Sequence, residues 1–195
     1  MSATSPFDRA GARERRRRRT RTRLYEEALV EFARVGFDRA SVADIARAAG
    51  VSRPAFYFHF PTKEHVLLEL QWHKEQELVA VLESCETLAD TLMTLADEIV
   101  TGIESVQGPG VARDMLSIYA RRPGWLPLDE QPFPTARLVE KRFAEGAARG
   151  ELRAGLDPVK APVLCLTGAF GYLIAAPENA DRRADLRAML SLYLA

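Results

Sequence analysis

A short aromatic stretch, AFYFHF at residues 55–60, lies among the side chains best suited to recognise a partner. Arg53 comes just before it, and a guanidinium can donate two hydrogen bonds to one guanine edge in the DNA major groove. The phenol of Tyr57 can reach a phosphate or a thymine methyl group. Lys63 falls in the first turn of the next predicted helix, where unpaired N–H groups and the helix dipole favour a phosphate. These residue types indicate a polyanion as the partner.

The alternation of side chains at 55–60 is itself typical of a half-buried β-strand. A lone strand would leave its N–H and C=O groups unpaired, and no other segment has a convincing strand pattern. Ser52 can instead cap a helix whose first turn accepts Pro54, and Pro61 forces the chain out of the helical conformation. We therefore predict a helix of about one and a half turns spanning residues 53–58.

The predicted helix is the last of three that together form a pattern. A rotation of 100° per residue turns Arg53 and Tyr57 outward and Phe56 toward the core. Upstream, residues 20–36 have one apolar stripe and residues 41–50 hold a short helix that begins with a capping box and ends at a glycine. A helix, a turn and a short helix with outward Arg and Tyr form a helix-turn-helix, whose last helix enters the major groove.

Charge is unevenly distributed although the formal net charge is zero. Residues 1–66 have 14 basic and 8 acidic side chains, whereas residues 67–195 have 13 and 19. Residues 1–19 contain almost no large apolar side chain, so we predict a flexible basic arm there. The arm is expected to enter a minor groove narrowed by A·T sequence, the alternative being a solvated tail. The arm residues predicted to contact DNA are Arg17, Arg18 and Arg19.

The run SVADIARAAGVSRPAFYFHFPTKEHVLLEL at residues 41–70 resembles the DNA-binding domain of the TetR family of bacterial transcriptional regulators. The shared motifs are ADIA, AGVS, FY-x-HF and a downstream Lys-Glu, and SRPAFYFHFPTKE is most similar to the branch that contains the mycobacterial regulator of ethionamide activation. The specific resemblance covers roughly residues 20–70. It implies an all-α homodimer that binds a palindromic operator through its first three helices, and a larger C-terminal domain whose small effector ends DNA binding.

The resemblance also implies roles for individual residues. Base-reading positions in the groove fall on Arg53, Pro54 and Tyr57. Positions that contact phosphates fall on Ser41, Val42, Tyr57, His59 and Lys63. Some members have a base-reading arginine where this chain has Ala43, so base recognition is expected to rely on Arg53 and the arm.

The remainder of the chain has helical patterns separated by glycine and proline turns. We predict an all-α, nine-helix, TetR-like architecture, with an arm at 1–19, a helix-turn-helix domain at 20–66 and a ligand-binding and dimerisation domain at 67–195. No segment has the length and apolarity of a membrane helix or a secretion signal, so a cytoplasmic protein is expected.

Two surfaces of the C-terminal domain are predicted from its apolar residues. An apolar effector pocket is one interpretation of a set of large side chains, each of which alone is more typical of plain core. This set is Trp72, Met93, Met115, Tyr119, Trp125, Phe143 and Phe170.

The last two helices carry more apolar surface than a small domain needs and are expected to pair with their two-fold copies. The predicted interface residues are Val163, Leu166, Phe170, Leu173, Ile174, Leu186, Met189, Leu190 and Tyr193.

The leading hypothesis is a repressor that is released from its operator by a small apolar effector. An activator, or a constitutive DNA-binding protein without an effector, is the alternative within DNA binding. A different class of function, a metal-dependent enzyme, would use His65, Glu69 and His73 at i, i+4 and i+8 on one helix face. The chain lacks a nucleophile motif and a phosphate-binding loop, and no metal or other cofactor is expected.

Overall fold

The computed structural model describes residues 6–108, 110–121, 134–177 and 181–195. Within these ranges the chain forms nine α-helices and one isolated bridge, between Leu152 and Leu194. The predicted all-α, nine-helix architecture is confirmed. No helix in the described ranges is long and apolar enough to cross a membrane. The helices are α1 (Pro6–Val35), α2 (Val42–Ala48), α3 (Arg53–His59), α4 (Glu64–Leu82), α5 (Leu88–Glu104), α6 (Val111–Arg121), α7 (Pro134–Ala148), α8 (Ala161–Ala175) and α9 (Arg182–Ser191).

The chain divides into two compact units. The first comprises Met1–Leu67 together with Gln107–Val111, and the second comprises Leu68–Val106 together with Ala112–Ala195. The first unit therefore contains α1, α2, α3 and the first turn of α4. The second contains the rest of α4, all of α5, α7, α8 and α9, and α6 apart from its first residue.

The first unit is built around the apolar stripe of α1. Leu24, Ala28 and Phe32 are fully buried, as the four-residue spacing predicts, and Ile45 of α2 and Phe56 of α3 are buried with them. Burying a side chain of this size stabilises a fold by about 1.5–3 kcal/mol. The three helices therefore share one small core, which leaves the polar faces of α2 and α3 outside.

The segment with alternating phenylalanines, which could have been a strand or a helix, forms helix α3. Ser52 caps it, because the serine hydroxyl oxygen accepts a hydrogen bond from the Ala55 N–H at 3.4 Å, and Pro54 lies in the first turn. The helix ends where Phe60, the residue before a proline, has extended backbone angles. Phe56 is fully buried whereas Arg53 is exposed. The prediction of a helix rather than a strand is confirmed, with one residue more than expected.

Helix α1 begins earlier than the sequence predicts. Its first residue is Pro6 rather than Thr20, so the described part of the predicted arm is helical. The expectation rested on the missing apolar stripe, but arginine and glutamate are good helix formers without one. Glu14 also pairs with Arg18 one turn later, at 3.0 Å between Oε1 and Nε. Propensity and local ion pairs therefore extend the helix beyond its buried part.

The second unit has its own core, formed mainly by α5, α7, α8 and α9. Phe143 of α7 is fully buried and packs edge-on against Tyr193, with the ring centroids 5.7 Å apart. Gly146 lets α7 approach α5 closely, because a Cβ there would lie 2.8 Å from the Cβ of Leu88. The thiol of Cys165 is free in the same core, and burial raises its pKa to about 12.

Candidate nucleic-acid interface

The exposed faces of α2, α3 and the start of α4 border a cleft with a volume of about 410 Å³, here called the recognition groove. Its lining residues are Ala40, Ser41, Val42, Ala43, Arg53, Tyr57, Thr62, Lys63 and Glu64. Five residues predicted to contact DNA come together there although they are distant in sequence: Ser41, Val42, Arg53, Tyr57 and Lys63. Pro54 is exposed on the same helix but does not line the groove. The two side-chain cations of the lining favour an anionic partner.

Two polar side chains of α3 support each other one turn apart. Arg53 Nη2 lies 3.4 Å from the hydroxyl oxygen of Tyr57, to which it donates a weak hydrogen bond. The guanidinium carbon is 5.7 Å from the centroid of the Tyr57 ring. Tyr57 is 41% exposed, and Arg53 is exposed as well. Both retain donors for an external acceptor, which is what a base edge or a phosphate requires.

The C-terminal end of α3 is fixed by α1. The guanidinium of Arg21 lies over the ring of Phe60, 4.1 Å from its centroid, and donates a hydrogen bond to the backbone carbonyl of His59. Phe60 in turn packs against Phe56 inside the unit, with ring centroids 5.7 Å apart. The sequence analysis missed this role of Arg21, because 38 positions separate it from His59 and no local signal connects them.

Lys63 is attached to the turn between α1 and α2. Its Nζ donates hydrogen bonds to the carbonyls of Phe37 at 2.7 Å and Asp38 at 2.9 Å, and lies 4.5 Å from the centroid of the Phe37 ring. The ammonium thus holds this turn beside the groove while its charge remains at the groove lining. Contact between Lys63 and a phosphate stays a prediction.

His59 and the arginines of α1 lie outside the groove lining. His59 is half-buried, and burial, together with the charges of Arg21 and Arg17, lowers the pKa of its imidazole. A neutral ring would contact a phosphate through one N–H rather than as a cation. The predicted arm residues Arg17, Arg18 and Arg19 are all exposed.

Phe58 is a surface feature that the sequence analysis did not single out. It is 70% exposed on α3, and the guanidinium of Arg17 lies 5.6 Å from its ring centroid. An exposed aromatic side chain beside a basic surface would extend the predicted interface from α3 toward α1.

Comparison with known proteins decides the family of the chain. Residues 24–70 match the family described as bacterial regulatory proteins, tetR family. Residues 24–70 of the chain belong to the TetR family. The transcriptional regulator EthR of Mycolicibacterium smegmatis is 62% identical over 34 residues, which are 17% of this chain and 16% of that protein. The A-factor receptor protein of Streptomyces griseus is 24% identical over 182 residues, 92% of this chain and 63% of that protein.

The TetR-family likeness extends to the fold of the chain. The structure of NalD of Pseudomonas aeruginosa, described as the secondary repressor of a multidrug efflux pump, superposes with a TM-score of 0.56 at 26% identity. That superposition covers 91% of this chain and 98% of NalD. The sequence matches to EthR and the A-factor receptor protein span less than two thirds of those proteins. The family is one of regulatory proteins and not of enzymes.

The residues predicted to line an effector pocket separate into several groups in the structure. Met115 and Phe170 line one cavity of about 40 Å³ in the second unit, whereas Phe143 belongs to the closed core. Trp72 is 40% exposed, and Met93 is half-buried against the core. Trp125 and the side chain of Tyr119 lie outside the described residues. A single pocket lined by all the described members is therefore not formed.

The predicted dimer residues also separate. Leu166, Leu173, Leu186 and Leu190 are buried in the core of their own chain, so the expectation that they face a second copy is corrected. These side chains follow the helical period but point inward, and only the packing of α9 against α5 and of α8 against α7 decides that direction. Val163 is 56% exposed. The half-buried members are Phe170, Ile174, Met189 and Tyr193.

The candidate metal ligands of α4 do not form a cluster. Among the described residues, no group of three or more His, Cys, Asp or Glu side chains is placed to hold a metal ion. The Nδ1 of His65 lies 3.0 Å from the hydroxyl of Thr62 and accepts a hydrogen bond from the Thr62 N–H at 3.3 Å. This imidazole therefore caps the start of α4.

Proposed function

We propose that this protein is a DNA-binding transcriptional repressor that binds a palindromic operator as a homodimer and is released by a small effector. The observation that supports DNA binding most directly is the exposed pair of Arg53 and Tyr57 on α3, which line the recognition groove. A short helix whose outward face offers a guanidinium and a phenol can contact base edges while neighbouring groups contact the backbone. Such a protein acts where the bacterial chromosome lies, in the cytoplasm.

The distribution of polar groups supports the assignment of roles. Arg53 is the base-reading residue, because its guanidinium alone in the groove lining can donate two parallel hydrogen bonds to guanine. Tyr57 and Ser41 line the groove beside it and contact phosphates, whereas Lys63, whose Nζ donates to backbone carbonyls, attracts phosphates through its charge. Arg17 and its neighbours on α1 add sequence-independent attraction, which depends strongly on salt.

One relative supports repression and another supports the binding of a small effector. NalD is described as a repressor, and the Streptomyces protein is named a receptor for A-factor. For this chain the effector would bind the second unit and weaken operator binding. A coupling free energy of about 1–3 kcal/mol between effector and DNA is sufficient for such a switch.

The dimer is proposed to form through the outward face of α8. This face combines exposed apolar and small residues that allow a second helix to approach closely. Its exposed members are Val163, Leu164, Thr167, Gly168 and Gly171. An added Cβ at Gly171 would meet nothing within 4 Å in the single chain, so space for a partner helix is available there.

The test is selection of bound sequences from random duplex DNA, followed by affinity measurement on the selected sequence. We expect a two-fold symmetric sequence, bound with a stoichiometry of at least two chains per site by light scattering. A shuffled duplex of the same length is the control. Equal affinity for the selected and the shuffled duplex would refute the proposal.

A further inference from the structure

A small cavity in the second unit has both polar and apolar walls. Its volume is about 40 Å³. The polar walls include Gln71 and Glu75 of α4 and Thr135 of α7, all of which are buried. The apolar walls are Leu78, Ile99, Ile103, Met115, Leu116 and Phe170. A buried group of polar side chains beside an apolar wall is the usual composition of a small-molecule site.

Two oxygen atoms of neutral side chains at this cavity have no hydrogen-bond partner among the described residues. They are Oε1 of Gln71, in a side chain whose residue is 5% exposed, and Oγ1 of Thr135, whose residue is 4% exposed. The amide of Gln71 is oriented by its neighbour, since its Nε2 donates to Oε1 of Glu75 at 3.5 Å. The amide oxygen is thereby left for another partner. Buried polar atoms are normally bonded, so an unsatisfied pair marks a place for an additional group.

The chemistry of these atoms restricts what the group can be. The Gln71 oxygen only accepts hydrogen bonds, and the Thr135 hydroxyl can accept or donate. A ligand atom that bonds both must therefore carry a hydrogen, as a hydroxyl or an ammonium does. A carboxylate would place its lone pairs against the Gln71 oxygen and would be repelled by the carboxylates of Glu75 and Glu98 in the lining. The one ammonium of the lining, on Lys74, is paired with Glu77 at 2.8 Å. The volume admits a group of one or two heavy atoms, because a liquid water molecule occupies about 30 Å³.

We propose that this cavity receives the hydrogen-bond donor end of the effector, a hydroxyl or primary ammonium group on an apolar body. Gln71 and Thr135 accept from that group, and the apolar walls contact the carbon atom that carries it. Further carbon atoms of the body require side chains of these walls to change rotamer. The unbranched side chain of Met115 is suited to adjust its rotamer around such a chain. The regulatory meaning of the site rests on the proposed function, whereas binding at the site does not.

The experiment compares three probes with the same carbon chain: octan-1-ol, octan-1-amine and octanoate. Binding to the full-length protein is measured by calorimetry and by the shift of the thermal unfolding midpoint. We expect octan-1-ol and octan-1-amine to bind and to raise the midpoint, and octanoate to bind at least tenfold more weakly. Loss of one acceptor should weaken binding of octan-1-ol about fivefold in Gln71→Leu and in Thr135→Val. The matched control is Gln76→Leu, since Gln76 is exposed on the same helix, and its affinity should equal that of the wild type.

The outcomes separate clearly. Octanoate binding as tightly as octan-1-ol would overturn the assignment of a donor group. Wild-type affinity in both Gln71→Leu and Thr135→Val would overturn the location of the site. Absence of binding by all three probes would mean that the cavity holds only water, and the proposal would be wrong. Affinity for selected DNA is measured separately without probe, so failure of the proposed function is distinguishable from failure of the site.

Discussion

The two compact units of this chain place their polar recognition groups in opposite environments. In the first unit, Arg53 and Tyr57 are exposed at a groove of about 410 Å³. In the second, Gln71 and Thr135 are at most 5% exposed beside a cavity of about 40 Å³. DNA is recognised by a helix whose exposed face enters a groove of the duplex, whereas a small molecule is enclosed by the protein. On the proposed roles, the chain separates recognition of DNA from recognition of a small molecule by the depth at which it places its polar side chains.

The largest expected effect is on the free energy of unfolding, and it tests whether the buried side of α3 stabilises the first unit. Phe56 is fully buried and Phe58, two residues on, is 70% exposed. Phe56→Ala should lower the free energy of unfolding by about 3–5 kcal/mol, because it leaves a cavity in the small core. Phe58→Ala on the same helix is the matched control and should change it by no more than about 0.5 kcal/mol. Denaturant titration followed by circular dichroism measures both, and equal losses would contradict the assignment of inner and outer faces.

The second effect concerns the exposed polar groups of the first unit. Arg53→Ala should weaken binding to selected DNA by about 1–3 kcal/mol, the value of a bidentate contact with guanine, without changing unfolding. Fluorescence anisotropy at fixed salt measures the affinity. The control is Arg47→Ala, because the Arg47 side chain is 80% exposed, lies outside the groove lining and pairs with Asp44 within α2.

Arg53→Lys sharpens the same comparison. The substitution retains the positive charge but removes the planar pair of donors, so most of the loss seen with alanine should remain. Full affinity in Arg53→Lys would show that Arg53 supplies charge and does not select a base.

A third, smaller effect uses matching helix caps in the two units. Ser52 caps α3, and Thr87 caps α5 by accepting the Asp90 N–H at 3.0 Å. Each substitution to alanine should reduce stability by about 1 kcal/mol. Only Ser52→Ala should also weaken DNA binding, because it frays the helix that carries Arg53. Ser52→Asn retains the cap and should behave like the wild type in both measurements.

The smallest effect is a difference in acid sensitivity. Burial lowers the pKa of His65 in the first unit from its ordinary value of 6.5. In the second unit, the Glu151 carboxylate accepts hydrogen bonds from the Arg149 side chain and from the Leu88 N–H, and both lower its pKa from the ordinary value of 4.5. For a lowered pKa the unfolded chain takes up the proton first, so stability is present above the unfolded value and lost as pH falls through the folded value. Unfolding midpoints should therefore begin to fall below pH 6.5 through His65 and below pH 4.5 through Glu151.

Two variants check this assignment. Glu151→Gln should flatten the pH dependence of the unfolding midpoint below pH 4.5 and leave the portion near pH 6 unchanged. Glu83→Gln, at an exposed position, is the control and should retain the full dependence. A flattening in both variants would assign the effect to overall charge.

Local chemistry explains why most of the first unit was predictable. The bounds of α2 and α3 follow from Ser41, Ser52 and Pro54, which act within one helical turn of themselves. The sequence analysis did not predict the start of α1 at Pro6, because it looked for an apolar stripe. Helix propensity and local ion pairs stabilise this part of the helix without one. For the groove, the residue types were found from the sequence, and their convergence followed from a helix-turn-helix geometry known in advance.

Contacts between distant residues account for what the sequence did not determine. By itself the sequence determined an all-helical chain with a basic first unit and with Arg53 and Tyr57 on the outer face of α3, because caps, prolines and periodicity act over a few residues. Tertiary structure decided that Arg21 supports α3, that Leu186 and Leu190 lie inside, and that Gln71 lies beside a cavity. A side chain on an amphipathic helix has a fixed direction relative to its own axis, but its neighbours depend on how separate helices pack.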